Sequence, residues 1–504
     1  MPNRFCKSLL LLSLTLILVH LSAPGAQYSW LALIWPLPLI IATRSVTPFK
    51  SACTFGGCLW LIWLHSVWWL LPAIMDFAGT TWLISSLLLL VVTLSCALPY
   101  ALAAYLWRHI ASRTSGFTVI LPAAIFTVTL SWLPSLLPGS PFHGLYRLPI
   151  TIQTLSLGGM PLLLFILLAL NFSLCNAFYG FYRQDQQKYR GLIAPTLITL
   201  VLFGYGAIEL HELNNTKNKH TLHVGFIQPN LTRTDSTAVL FDKTQQLISA
   251  TSNIDLIVWP EFPPAFSVID NPLDNQNVLT LSRTIKTPLL INSGYVYLRD
   301  DNNQRLDGYY NSNQLILNGT VVDSYHKQIL VPFFEYLPFT NYWPELKNYF
   351  PETLNYQPGE SSKLLALNNE TLLITTICYE VIFSSLLREF IEAGGNIIIN
   401  PVSDSWFGDS QASAHHFALA LFKTVEFRVP LVRAANSGIS AIVTAGGEIM
   451  TNSETPLLTT AVRSSDIFIP HQRSFYARNG DIFLYFVSAF LILYGTNLLR
   501  KSSR

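Results

Sequence analysis

The sequence has few charged residues for its length. Asp, Glu, Lys and Arg make up 12% of the 504 residues, whereas hydrophobic residues make up 51%. A soluble chain usually has about 25% charged residues, so this composition indicates a membrane protein. The 31 basic and 29 acidic side chains give a formal net charge of +2. This near balance excludes the strongly basic surface that nucleic-acid binding requires.

Short motifs with well-understood chemistry are also missing. The sequence contains no Walker A loop, no dinucleotide-type glycine fingerprint, no CxxC pair and no HExxH. These motifs bind phosphates, dinucleotides or metal ions. We therefore expect an activity that uses no metal ion, nucleotide or other cofactor.

Long apolar runs are abundant, and about 20 such residues suffice to cross a bilayer. Eight runs predict a polytopic α-helical membrane domain: residues 9–22, 28–42, 52–74, 82–107, 117–137, 162–181, 192–208 and 482–499. Segment 219–474, between the seventh and eighth runs, has the composition of a soluble domain. We predict a membrane domain over 1–212, this soluble domain, an eighth span and a short tail over 500–504. The first run also fits a cleavable signal peptide, because Arg4 and Lys7 precede it.

The positions of Lys and Arg predict the orientation of the spans. Basic residues occur at both termini and in the second, fourth and sixth connections: Arg4, Lys7, Arg44, Lys50, Arg108, Arg113, Arg183, Lys188, Arg190, Arg500, Lys501 and Arg504. Connections 24–29 and 75–81 have none, and connection 138–153 has only Arg147. Since loops rich in Lys and Arg stay in the cytoplasm, we expect both termini there and segment 219–474 on the outer side.

Segment 219–474 alternates strand-like and helix-like stretches. HTLHVGFIQPNL, DLIVWPEFPPAF, TPLLINSGYVYL, LLITTICYEV and NIIINPVSDSWFG read as strands. LFDKTQQLISATS, SSLLREFIEAGG and AHHFALALFKTVEFRVP have helical character. Asn318 and Gly319 form a strong hairpin signal between two further strands. This order predicts an α/β sandwich with largely buried sheets.

Cys378 is the only cysteine in segment 219–474, since the other five lie in or beside apolar runs. A lone cysteine cannot form a disulfide within this segment, so it is either an inert buried thiol or a reactive one. It ends the strand-like run LLITTICYEV and is followed by Tyr379 and Glu380. Burying Glu380 is unfavourable unless it has partners, so this strand end indicates a site.

Three polar residues at predicted strand ends suit acyl transfer. Ligand and catalytic groups concentrate at such ends in open α/β sheets. Cys378 would be the nucleophile, Glu261 the general base that takes its proton, and Lys327 the cation that stabilises the oxyanion. Each also has an ordinary interpretation: Glu261 as a surface turn residue, Lys327 as a solvated lysine and Cys378 as an inert thiol. The strand pattern alone leaves both interpretations open.

Four motifs in the order WPE, HKxxLVPFxEYLP, CYE and SDSWFGDS resemble the carbon–nitrogen hydrolase (nitrilase) superfamily. Its Glu–Lys–Cys triad matches Glu261, Lys327 and Cys378. With the flanking apolar runs, essentially the whole chain is similar to the apolipoprotein N-acyltransferase family. The motifs QPN, YYNS, RAANSGIS and FYARNGD also match the pattern of that family. The resemblance implies an αββα sandwich for the soluble domain.

Further site residues follow from the resemblance. Glu335 matches an additional glutamate that orients the lysine and aids proton transfer. Tyr379 and Glu380 follow the nucleophile as in the family, and Asn311 lies in the matching YYNS motif. We assign these four a supporting role at the active site.

The resemblance also implies an activity. A fatty acyl chain would pass from a phospholipid to a thioester on Cys378, and then to the α-amine of a diacylglyceryl-modified apolipoprotein N-terminus. We expect a monomer in the bacterial inner membrane, with its catalytic domain on the periplasmic side. The triad does not distinguish this activity from that of a membrane-tethered amidase, in which water resolves the thioester. A non-catalytic membrane scaffold is a third alternative, which the intact triad argues against and which Phe334 keeps open.

The chain departs from the family pattern at three places. Phe334 stands where the family usually has glycine, and Ser403-Asp404-Ser405 stands where asparagine–aspartate usually precedes WFG. Residues 232–240 lack a tryptophan that family members often carry. We expect Phe334 to reshape the acyl pocket, and these departures bear on substrate preference and rate more than on reaction class.

Overall fold

The computed structural model describes residues 2–112, 118–133, 135–183, 188–215, 220–232, 235–251, 253–261, 266–300 and 302–502. The helices within these ranges are α1 (Pro2–Ser22), α2 (Pro36–Thr43), α3 (Pro48–Ser66), α4 (Leu70–Ala78), α5 (Trp82–Ala111), α6 (Ile120–Trp132), α7 (Pro149–Ile152), α8 (Leu155–Tyr182), α9 (Ile193–Asn214), α10 (Ala238–Ala250), α11 (Pro272–Ile285), α12 (Ser384–Glu392), α13 (Ala412–Phe427), α14 (Phe475–Asn479) and α15 (Ile482–Ser502). The strands are β1 (His220–Gln228), β2 (Leu256–Val258), β3 (Leu289–Arg299), β4 (Arg305–Leu317), β5 (Thr320–His326), β6 (Leu365–Ala366), β7 (Leu372–Thr375), β8 (Ile397–Val402), β9 (Leu431–Ala435), β10 (Ala441–Val443) and β11 (Ala461–Ile469).

The chain divides into two compact units. The first comprises Met1–Trp68, Leu87–Asn215 and Ser474–Arg504, and the second comprises Trp69–Ser86 and Thr216–Arg473. From the sequence we predicted that residues 69–86 belong with the apolar helices. In the structure they group with the second unit, which contains most of segment 219–474.

The first unit is built from apolar helices. Three described helices are long and apolar enough to cross a membrane, namely Trp82–Ala111, Leu155–Tyr182 and Tyr189–Asn214. The bent pair Pro48–Ser66 and Leu70–Ala78, of which the second helix groups with the second unit, adds a fourth if it is counted as one span. Four predicted spans correspond to shorter apolar helices, Cys6–Ser22, Ser29–Thr43, Ile120–Trp132 and Ile482–Leu498. The count of eight spans therefore stays a prediction.

The predicted span 52–74 is not one continuous helix. Helix α3 ends at Ser66, and α4 begins at Leu70. Pro72 lies in the first turn of α4, and proline lacks the N–H that a continuous helix would need there and clashes with the carbonyl four residues earlier. Hydrophobicity alone predicts a continuous span here, whereas Pro72 interrupts the helix.

Helix α8 is interrupted near its start. Gly158 and Gly159 have non-helical backbone angles, and Gly159 has a φ of 60°. A Cβ atom on Gly159 would lie 2.5 Å from the ring of Tyr476. Glycine is therefore required here both by the left-handed backbone and by the close approach of that ring.

The second unit contains two sheets. The six-stranded sheet has the order β11-β1-β2-β3-β4-β5, and the five-stranded sheet has the order β10-β9-β8-β7-β6. Strands β1, β2 and β3 are parallel, as are β7, β8 and β9, and the outer pairs are antiparallel. The predicted hairpin is confirmed, since Asn318 and Gly319 connect β4 to β5 with φ angles of 50° and 77°.

Helices cover the outer faces of the two sheets. Helix α10 contacts β1, α11 contacts β4 and α12 contacts β7, while β1 of the first sheet contacts β9 of the second. An apolar core on the first sheet includes Leu240 and Leu247 of α10, Val278 of α11 and Ile257 of β2, all buried. This is the helix–sheet–sheet–helix arrangement that the family resemblance implied.

Aromatic contacts explain why residues 69–86 belong to the second unit. Trp69 packs edge-on against Trp406 and Phe407, with ring centroids 5.8 and 4.6 Å away. Phe77 of α4 lies 6.0 Å from Trp406 and 6.3 Å from Phe334. We call these five side chains the aromatic cluster. Two of its members, Phe334 and Trp406, lie in segments that contribute to the site described next: Phe334 precedes Glu335, and Trp406 lies in the 3-10 turn Ser405–Phe407.

Candidate active site

Cys378 lies at the start of a short 3-10 turn, Cys378–Ile382, which follows strand β7. The residue is 5% exposed and has a φ of +53°. This left-handed conformation is unfavourable for a residue with a side chain, by about 1–3 kcal/mol, and persists only where surrounding contacts hold it. One such contact is the hydrogen bond that Asn400 Nδ2 donates to the Cys378 carbonyl, at 2.9 Å.

Glu380 anchors this turn to the segment after strand β5. Its Oε2 accepts a 2.8 Å hydrogen bond from the backbone N–H of Ile377. Its Oε1 accepts from the backbone N–H groups of Gln328 and Ile329 and from the Tyr325 hydroxyl, at 2.7, 3.0 and 2.9 Å. Burial raises the pKa of Glu380 to about 7, although Lys327 and the backbone donors act to lower it. The buried carboxyl group therefore joins the segment that carries the thiol to the segment that carries Lys327.

Glu261 follows strand β2 and is held on both carboxylate oxygens. Asn311 Nδ2 donates to Oε1 at 2.8 Å, and the backbone N–H of Ser403 donates to Oε2 at 2.9 Å. Burial raises the pKa of Glu261, as does the charge of Glu335, while Lys327 and the hydrogen bonds from Asn311 and Cys378 lower it. The net effect is a carboxyl group with raised pKa, which makes it a stronger base than an exposed glutamate.

Lys327 follows strand β5 and is 1% exposed. Its Nζ donates to Glu335 Oε1 at 2.7 Å and lies 3.9 Å from Glu261 Oε1. Burial lowers the pKa of Lys327, but the charges of Glu335 and Glu261 outweigh it and hold the pKa well above the usual value. The amine is therefore a charged ammonium group at neutral pH.

Glu335 is fixed by the backbone of its own loop. Its Oε2 accepts a 2.8 Å hydrogen bond from the Val331 N–H, while its own N–H donates to the Val331 carbonyl at 2.9 Å. Its other oxygen then faces Lys327. A carboxylate held in this way fixes the position of the ammonium group.

The Cys378 thiol is neutral at rest. Burial raises its pKa well above the usual value, the negative charge of Glu261 adds to this, and Lys327 opposes it. The thiol therefore needs a base to accept its proton during attack, and Glu261, the carboxylate whose charge acts most strongly on the thiol, is the candidate acceptor.

The structure brings together all seven residues predicted for the site. Tyr379 completes the set: its hydroxyl donates to the Leu330 carbonyl at 3.3 Å, and Lys327 Nζ lies 5.9 Å from the centre of its ring. Asn311 orients Glu261 and receives a 2.7 Å hydrogen bond from Asn292. The ordinary interpretations of Glu261 and Lys327 as exposed residues are wrong, since both are buried.

Buried polar residues that were not predicted from the sequence lie behind the site. Asn400 on β8 and Arg433 on β9 are neighbours across the sheet, and neither had been assigned a role. The signal was present in the sequence, because an arginine within the apolar run LVRAA is unusual in a buried strand. Ser403 was noted only as a departure, whereas its backbone N–H, which any residue would supply, binds Glu261.

Comparison with known proteins agrees with this architecture. The carbon-nitrogen hydrolase family model matches residues 223–467. The chain is 28% identical over 484 residues to the apolipoprotein N-acyltransferase of Geobacter metallireducens, covering 93% of this chain and 90% of that protein. It is 30% identical over 413 residues to the protein of the same name from Rhizobium leguminosarum bv. trifolii, covering 76% and 74%. For the Rhizobium rhizogenes protein of that name, identity is 29% over 449 residues, covering 85% and 80%.

Proposed function

The chain belongs to the apolipoprotein N-acyltransferase family, and we propose that it moves a fatty acyl chain from a phospholipid to an apolipoprotein through a thioester on Cys378. The acceptor is the α-amine of the diacylglyceryl-modified N-terminal cysteine. The observation that carries the proposal is the buried group formed by Cys378, Glu261 and Lys327, with Lys327 Nζ 3.9 Å from Glu261.

In the first step, the Glu261 carboxylate accepts the proton of the Cys378 thiol as the sulfur attacks the carbonyl carbon of the phospholipid ester. The negative charge that forms on the carbonyl oxygen is stabilised by the Lys327 ammonium group and by a backbone N–H beside Cys378. Collapse of this intermediate breaks the C–O bond. The leaving lysophospholipid oxygen takes the proton from Glu261, and the acyl chain remains on sulfur.

In the second step, the α-amine of the acceptor attacks the thioester carbonyl. Glu261 takes a proton from the attacking amine, Lys327 again stabilises the oxyanion, and the C–S bond breaks. The sulfur recovers its proton from Glu261, and the product is an amide. Glu335 holds Lys327 in both steps, so the ammonium group need not move between them.

Both substrates carry acyl chains, and the helices of the first unit suit a protein that takes them from a bilayer. Three described helices are long and apolar enough to cross one. We propose a multi-pass protein of the bacterial inner membrane, with both termini in the cytoplasm, the catalytic unit on the periplasmic side, and a monomeric state. The distribution of Lys and Arg supports this orientation.

Intact-mass analysis of the purified protein after incubation with phospholipid tests the first step. We expect a fatty-acyl increment that is absent in Cys378→Ala, and its absence in the unsubstituted protein would refute the proposal. Adding a diacylglyceryl peptide tests the second step. N-acylated peptide supports the transferase, whereas free fatty acid without N-acylated peptide would instead show a hydrolase.

A further inference from the structure

A charged side chain is completely buried behind the active site. Arg433 on β9 is 0% exposed, and so is the side chain of its partner Asp404. Arg433 Nη2 donates to Asp404 Oδ2 at 3.0 Å, and Nε donates to the Ile439 carbonyl at 3.1 Å. Replacing a buried ion pair with apolar residues is often neutral or stabilising, so stability alone is a weak reason for this pair. Its other contacts suggest a second reason.

One branch of contacts leads from Arg433 to the nucleophile. Arg433 Nη1 donates to Asn400 Oδ1 at 2.9 Å, which fixes the orientation of that amide. Asn400 Nδ2 then donates to the carbonyl groups of Thr376 and Cys378, at 3.1 and 2.9 Å. These two carbonyls flank the point at which the backbone turns into the left-handed conformation of Cys378. Without Arg433 the Asn400 amide could rotate and present its oxygen to two carbonyl oxygens.

A second branch leads from Arg433 to the general base. Asp404, held by Arg433, also accepts a 2.6 Å hydrogen bond from Ser413 Oγ. The residue before it is Ser403, whose backbone N–H binds Glu261 Oε2 at 2.9 Å. Because Ser403 directly precedes Asp404 in the chain, the contacts that fix the Asp404 side chain also fix the position of this N–H group.

His416 packs against the same pair. Its Nδ1 lies 3.1 Å from both Asp404 Oδ1 and Arg433 Nη2. Burial lowers the pKa of His416, and the neighbouring Arg433 charge lowers it further, against the effects of Asp404 and the Cys378 backbone. A neutral imidazole fills this space without adding a second positive charge beside the guanidinium group. Arg433 is therefore the only cation that the described contacts show pairing with Asp404 at neutral pH.

We propose that Arg433 is a positioning residue that sets the geometry of Cys378 and Glu261 together, acting through Asn400 on one side and through Asp404 and Ser403 on the other. The inference rests on the proposed role of Cys378 as the nucleophile. A planar guanidinium group can make both contacts at fixed angles, whereas a lysine ammonium cannot reproduce this fork.

Arg433→Lys tests the proposal in single-turnover acylation of the full-length protein by phospholipid, followed by intact mass. This assay gives an amplitude, the fraction of molecules that become acylated, and a rate constant for those molecules. We expect the rate constant to fall about 100-fold with the amplitude retained, because small misplacements of reacting groups have effects of this size. A fall in amplitude with an unchanged rate constant would show a purely structural role and overturn the proposal.

Arg428→Lys is the matched control. Arg428 is also buried, in the same unit, and its Nη1 donates to the carbonyl of Ala445, a residue that belongs to neither branch. We expect its rate constant to match that of the unsubstituted protein, and an equal fall in both variants would overturn the proposal.

Asn400→Ser provides a second test, should Arg433→Lys not fold. It removes the donors to the Thr376 and Cys378 carbonyls and leaves Arg433 paired with Asp404. We expect the rate constant to fall about tenfold or more, and an unchanged value would overturn the nucleophile branch. If the unsubstituted protein forms no acyl-enzyme, the proposed function itself fails. Normal acylation of Arg433→Lys in a protein that does form one refutes only this inference.

Discussion

Replacing Glu335 with glutamine should separate two effects of the Glu335 charge on catalysis. The charge fixes the ammonium group of Lys327, and it raises the pKa of Glu261. The substitution keeps the size of the side chain and an oxygen that can accept from Lys327, but it removes one negative charge. At an effective dielectric constant of about 20, the attraction of Lys327 to Glu335 at 2.7 Å is about 6 kcal/mol before desolvation. The attraction to Glu261 at 3.9 Å is about 4 kcal/mol on the same basis. Glu335 therefore supplies the larger part of what fixes the ammonium group.

Two consequences follow from this loss. The attraction that fixes the Lys327 ammonium group at Glu335 becomes weaker, so the oxyanion donor is less firmly positioned, and we expect acylation of Cys378 to slow by about 10²–10³-fold. The charge of Glu335 also raises the pKa of Glu261. Without it that pKa falls, and Glu261 remains a carboxylate to a lower pH. The acidic limb of the rate profile should therefore move to lower pH even as the maximal rate decreases.

Single-turnover acylation measured by intact mass across a pH series tests both expectations. Glu345→Gln is the matched control, because Glu345 lies exposed near Glu335 in the sequence and should leave rate and profile unchanged. An acidic limb that moves to higher pH, or does not move while the rate falls, would refute the assignment of Glu335 as a charge that raises the pKa of Glu261.

Two further substitutions give distinct results. Asn311→Leu removes the hydrogen bond that lowers the pKa of Glu261, and a hydrogen bond to a charged group contributes about 1.5–3 kcal/mol. The acidic limb of the same profile should move to higher pH, opposite to Glu335→Gln, and a shift to lower pH would contradict this. Phe334→Gly removes a ring 5.2 Å from Trp406, and such aromatic pairs contribute about 0.5–1.5 kcal/mol. We expect a lower Tm but a retained acylation rate, since the backbone bonds of Glu335 remain. A rate loss as large as that of Glu335→Gln would show that the aromatic cluster positions the carboxylate.

Much of the second unit was predictable because its signals are local. Alternating strands and helices, with Asn318-Gly319 at a hairpin, follow from periodicity and turn chemistry over about ten residues at a time. The grouping of residues 69–86 with this unit was not predictable. It depends on Trp69 and Phe77 meeting rings that lie more than 250 positions later in the sequence, and an apolar run of residues looks the same whether lipid or protein surrounds it.

The site shows the same division between local and long-range information. Glu261, Lys327 and Cys378 were identifiable as polar residues at the ends of apolar strands. Neither the hydrogen bond from the Ser403 backbone to Glu261 nor the contact of Arg433 with Asn400 could be read from residue types. Backbone donors leave no trace in side-chain chemistry, and the contact of Arg433 with Asn400 requires that strands β8 and β9 be neighbours in the sheet.

Because the Cys378 thiol is neutral at rest, contacts that only position the reacting groups, such as those of Arg433 and Ser403, should control the rate. Burial and the charge of Glu261 both oppose ionisation of Cys378, so a free thiolate is scarce at neutral pH. Transfer of the proton to Glu261 and attack on the acyl carbonyl must then occur together. The rate depends on the alignment of sulfur, carboxylate and carbonyl carbon more than on the pKa of the thiol alone. Residues that only hold the backbone of Cys378 and the carboxylate of Glu261 therefore affect the same barrier as the residues that exchange the proton.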